Sequence, residues 1–91
     1  MTIYRYELTF STNTGGKYQI MLPRGAKVID AVWQEKRSEF SVYAECDTER
    51  ELEQRIFAVV GTGCAVPYGS THIRSIVMPD GYHVFHVYEV T

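Results

Sequence analysis

Turn-forming residues interrupt this chain about every ten residues, and between them the side chains alternate instead of recurring at helical spacing. Tyr4, Tyr6, Leu8 and Phe10 alternate with Ile3, Arg5, Glu7 and Thr9. A period of two is that of a strand with one buried face. Residues 11–16, Ser-Thr-Asn-Thr-Gly-Gly, collect turn formers, and residues 17–22 return as a second strand. These two strands are expected to pair as a hairpin.

The same punctuation continues downstream. Pro23-Arg24-Gly25 ends the second strand, because proline donates no ladder hydrogen bond and glycine permits a tight reversal. Residues 26–33 form a third strand, and the polar link 34–38 leads into a fourth at 39–46. Residues 47–54 carry the one helical signal: Thr48 and Glu51 stand at capping-box spacing with acidic residues in the first turn. A short helical turn is expected there.

Residues 55–60 are apolar at nearly every position, as in a strand covered on both faces and central in its sheet. Strands at 72–78 and 82–90 follow, joined by Pro79-Asp80-Gly81. The expected architecture is therefore all-β and mainly antiparallel, a seven-stranded sandwich or small barrel forming one domain over residues 1–91.

Composition narrows the function. The chain is 45% hydrophobic and 22% charged, an ordinary folding composition. Its formal charge is −2, and the nine basic residues are scattered, which leaves no stripe for a phosphate backbone. Nucleic acid is therefore not an expected partner. No apolar run reaches the roughly 20 residues of a membrane span, and the opening Met1-Thr2-Ile3-Tyr4-Arg5 lacks a signal-peptide pattern. An intracellular location without membrane contact is expected, with Cys46 and Cys64 as reduced packing thiols.

The least ordinary stretch is 59–72, VVGTGCAVPYGSTH, where two valines run into three glycines, a proline and a tyrosine. It is not a P-loop, since no lysine follows the second glycine and the segment leads into a strand. Consecutive amides around Gly61, Thr62 and Gly63 can still make an anion nest. A ligand there would meet Tyr68, Ser70 and Thr71 along the loop, with Tyr68 stacking on a base and Arg55 or Arg74 on phosphate.

No catalytic set is legible: Cys64, Ser70 and His72 are isolated pieces of nucleophilic chemistry, with Cys64 the only plausible nucleophile. Glu49, Glu51 and Glu53 read as a solvated face. His83 and His86 stand an odd number apart in one strand and so face opposite ways; neither a metal nor another cofactor is expected. Among the aromatics, Tyr4, Trp33, Phe40, Phe57 and Phe85 are expected in the core.

Four segments carry a family likeness: IYRYEL at the start, MLPRGAKVIDAVWQ, FAVVGTGCAVP, and YHVFHVYE at the end. Together they resemble a family of short uncharacterised bacteriophage and prophage proteins that share an LP-x-GA, VGTG and HVF pattern. The resemblance covers nearly the whole chain and brings no established activity with it. It implies an accessory protein in the cytoplasm of an infected bacterium. Such a protein would act without catalysis, binding a host defence protein or sequestering a nucleotide-derived immune signal, as a homo-oligomer with aromatic contacts. A structural or assembly protein of the virion is the alternative.

Overall fold

The computed structural model describes residues 1–9, 13–14 and 16–91. Two sheets pack face to face. One has the order β1-β5-β4, from β1 (Thr2–Leu8), β4 (Lys27–Gln34) and β5 (Glu39–Cys46). The other has the order β2-β3-β6-β8-β7, from β2 (Asn13–Thr14), β3 (Lys17–Pro23), β6 (Leu52–Gly61), β7 (Ser70–Val77) and β8 (Val84–Val90). Every neighbouring pair is antiparallel, and the sheets remain open rather than closing into a barrel.

Alternation decides what each sheet buries. Leu8, Val42, Ala44, Cys46 and Ala31 from one sheet meet Ile20, Leu22, Phe57 and Val87 from the other. At one end an aromatic ladder crosses between the sheets: Trp33 meets Phe40 edge to face at 4.9 Å, and Phe40 meets Phe85 at 5.8 Å. Phe57 is fully buried, whereas Tyr4 is 45% exposed, contrary to its expected place in the core. It belongs to the first half of β1, an edge strand that is exposed from Thr2 to Arg5.

Two sequence expectations need correction. The first two long strands do not form a hairpin: β1 pairs with β5, and β3 pairs with β6 and the two-residue β2. Of the expected turn at 11–16, Asn13 and Thr14 form β2, paired with Tyr18 and Lys17 of β3, and Gly16 takes a φ of 80°; residues 11, 12 and 15, with Phe10, the expected end of the first strand, lie outside the described residues. The helical turn is also absent among the described residues. Asp47 instead caps a tight turn, its carboxylate accepting from the Glu49 amide at 3.1 Å and its carbonyl from the Arg50 amide at 3.1 Å. β6 then starts at Leu52, because its pairing with β3 as far as Pro23 outweighs the weak local helical preference. The expected central strand is central: β6 lies between β3 and β8.

One charged pair sits against the core. Arg55 follows the inward alternation of Phe57, and its guanidinium grips Glu89 of β8 with two N–H groups while donating a third hydrogen bond to the Ala26 carbonyl at 2.9 Å. Both side chains are about four-fifths covered, at 17% and 20% exposure. The hydrogen bond to Glu89 holds the Arg55 guanidinium more firmly charged than usual, against the opposing effect of burial. Removing one partner strands the other, whereas replacing both with apolar groups does not. Glu89→Ala is expected to cost about 2–3 kcal/mol in chemical denaturation, and Arg55→Met/Glu89→Leu less than that.

Candidate functional site

The glycine-rich stretch solves a topological problem. β6 and β7 are both antiparallel to β8, which lies between them, so they run parallel to each other. Parallel strands need a crossover, usually of a dozen residues or more and usually helical. Here residues 62–69 do it alone, starting where Gly61 pairs with Phe85 and ending where Ser70 pairs with Val90. The connection thus runs the length of β8. It lies on the face opposite the main core, where Thr62, Gly63, Cys64 and Val66 line one hollow with Val60, His86 and Tyr88.

Two buried residues of β6 lie on this outer face. Ala58 and Val60 are buried at 2% and 8% exposure without joining the main core. They share the outer face with Tyr88 and His86, their partners in register. Both ends of the crossover are pinned. The Cys64 amide donates to the Gly61 carbonyl at 3.1 Å; Ser70 Oγ donates to the Pro67 carbonyl at 2.6 Å; Thr91 donates to the Gly69 carbonyl from its amide and its hydroxyl. Gly63 and Gly69 take φ values of 90° and 76°, which side chains other than glycine adopt at a cost.

Beside the crossover runs a line of polar side chains. Thr62 Oγ1 donates to the Val84 carbonyl at 3.1 Å. Its one proton is then spent, so it accepts from His86 Nε2–H at 2.9 Å. A neutral His86 bears no proton on Nδ1, which accepts from Ser75 Oγ–H at 2.7 Å. Ser75 Oγ in turn accepts from His72 Nε2–H at 2.9 Å. The carbonyl at the far end sets the direction of every hydrogen bond in the row. The His72 ring stands edge to face with Tyr88 at 5.3 Å.

Strict alternation would send His72 and Ser75, three apart, to opposite faces. A bulge between His72 and Arg74 cancels that offset: His72 pairs with Tyr88 and Ser75 with His86. Nothing in a single sequence marks this bulge, and Ser75 carried no signal.

The residues singled out in the sequence are thereby divided. Gly61, Thr62 and Gly63 join His86 and Tyr88 around a hollow of about 210 Å³. Tyr68 projects from the crossover fully exposed, Ser70 pins it, and Thr71 is exposed opposite Glu89 in register. Arg55 and Arg74 do not turn towards the loop. Arg55 is held by Glu89, and Arg74, opposite the buried Val87, meets Asp30 of the other sheet at 3.3 Å. Of the two thiols, Cys46 packs in the core as expected, but Cys64 is exposed on the crossover. His83 stands apart from His86 in the turn before β8, its Nδ1 on Asp80 Oδ2 at 2.5 Å.

The family model of a domain of unknown function, DUF7352, matches residues 1–91. The chain belongs to the DUF7352 family. No curated protein and no solved structure matches it. For this DUF7352 domain, the expectation of an uncharacterised family spanning the whole chain holds, and the functional reading rests on its own surface.

Two expected outcomes follow from this geometry. Gly63→Ala is expected to lower stability by about 1 kcal/mol in urea denaturation. Gly61→Ala has a smaller effect, because an added Cβ would meet the Phe85 ring at an ordinary 3.6 Å. In the neighbouring turn, Asp80 is held down at about 2, first by the His83 ring and then by the amides of Tyr82 and His83. A carboxylate held low stabilises the turn above the usual range near pH 4 and loses that effect as pH falls towards 2. The amide resonances of Tyr82 and His83 are expected to move in that window, and Asp80→Asn to abolish the movement.

Proposed function

We propose that this domain works by binding a protein, as a small phage accessory protein that occludes a host factor in the cytoplasm of an infected bacterium. The observation that carries the reading is the distribution of exposed aromatics. Tyr68 on the crossover is fully exposed, and Tyr82 on the turn before β8 is 82% exposed. Large rings with a polar tip are the usual anchors of interfaces, and placing them on loops leaves them unused by the core.

A nucleotide-derived ligand is less well supported on two counts. The hollow beside the glycine loop, at about 210 Å³, is below the roughly 300–1,000 Å³ of enclosing ligand sites. The two arginines meant for phosphate are each opposite a carboxylate. Assembly into a virion would use the same exposed rings, and particle composition separates it from counter-defence. Self-association through them would give the homo-oligomer that the sequence suggested.

The test joins native mass spectrometry of the gently purified protein with affinity capture from the infected host. The expected result is a species without retained small molecule, together with a captured partner that Tyr68→Ser/Tyr82→Ser loses. Exposed substitutions of this kind should leave stability within about 0.5 kcal/mol. A retained mass of nucleotide size would replace this reading with sequestration, and recovery in purified particles would replace it with a virion role.

A further inference from the structure

The row Thr62, His86, Ser75, His72 is more than a set of paired polar groups, because its direction is determined. The Val84 carbonyl takes the Thr62 proton, which in the neutral ring places the His86 proton on Nε2 and leaves Nδ1 as a base facing Ser75 Oγ–H at 2.7 Å. A nucleophile within hydrogen-bond reach of a base, with that base oriented by a third group, is the arrangement that nucleophilic chemistry requires. Here the third group is Thr62, a positioning residue that fixes the ring of His86 from the other side.

Access is equally in place. Ser75 and His72 are exposed, so the pair Ser75 Oγ–His86 Nδ1 is open to solvent on the outer face of the sheet; the groove of about 420 Å³ that Ser75 borders lies on its other side, towards β4, and is lined by the charged Glu35 and Arg74 as well as by Val32, Ile76 and Val77. His72 Nε2–H already points at Ser75 Oγ at 2.9 Å, where it can pass to an oxygen developing charge on a bound electrophile.

We propose that Ser75 is an activated nucleophile that attacks acyl or phosphonyl electrophiles, with His86 as its general base. In the step, Ser75 Oγ bonds to the acyl carbon or phosphorus and its proton passes to His86 Nδ1. The bond to the leaving group breaks, the leaving group departs with the electron pair, and the proton is then released from the imidazolium to it or to solvent. One covalent adduct per chain results. This capture is independent of the protein-binding reading, and neither stands or falls with the other.

The experiment treats the whole chain with an alkyl fluorophosphonate at neutral pH and locates the adduct by peptide mass spectrometry over time. Attack forms the Oγ–P bond, breaks P–F and releases fluoride. Expected is a single adduct on Ser75, lost in Ser75→Ala and slowed on the order of 10²-fold in His86→Gln, the usual worth of a positioned base. A Ser75 labelled no faster than Ser11, Ser38 and Ser70 of the same chain overturns the proposal. That comparison needs no variant, so a His86→Gln chain that fails to fold does not shield it. A Ser75 rate unchanged in a folded His86→Gln chain overturns the role of His86 and with it the activation.

Discussion

The structure turns on the relation of β6 to β7. Placing β8 between two strands that follow one another in sequence makes them parallel, and a parallel pair must be joined across a face of the sheet. With only residues 62–69 to do it, the chain has no room for a covering helix. The connection itself becomes the cover. It lies against Val60, which alternation had turned away from the main core, and brings Thr62 against His86. The glycines, the pinned ends and the polar row are consequences of that one constraint.

The two faces of the larger sheet are thereby specialised. The inner face carries the aromatic and aliphatic core, with Arg55 and Glu89 satisfying each other at its margin. A charged pair in such a place does not favour folding strongly over an apolar substitute, but it penalises any register that separates the partners. β6 and β8 are held in one alignment, and their outer residues are held with them. Val60 opposite His86 and Ala58 opposite Tyr88 depend on that alignment. The outer face is where the chain departs from a plain sandwich, with a crossover, a bulge and a directed line of hydroxyls and imidazoles.

Those three features depend on one another. The bulge at 72–74 puts His72 and Ser75 on the same side; the crossover delivers Thr62; β8 sets His86 opposite Ser75. Without the bulge Ser75 and His72 would face opposite sides of the sheet. The site is assembled by pairing between strands distant in sequence, since Thr62 and His86 are separated by 24 residues and His72 lies between them in the chain.

The sequence by itself determined the local elements. Period-two alternation and the breakers at Pro23-Arg24-Gly25, 34–38 and Pro79-Asp80-Gly81 place most strands and two hairpins, because strand polarity and turn conformation depend on adjacent residues. It also marked 59–72 as unusual. Tertiary structure alone decided which strands pair: β1 left its expected hairpin for β5, and residues 52–54 gave up a helical turn for the edge of β3. It alone decided that Arg55 and Arg74 face inward and that Ser75 meets His86. Pairing across sheets is selected by the burial of whole faces, an energy summed over residues far apart in the chain, and a single bulge then reverses every side chain beyond it.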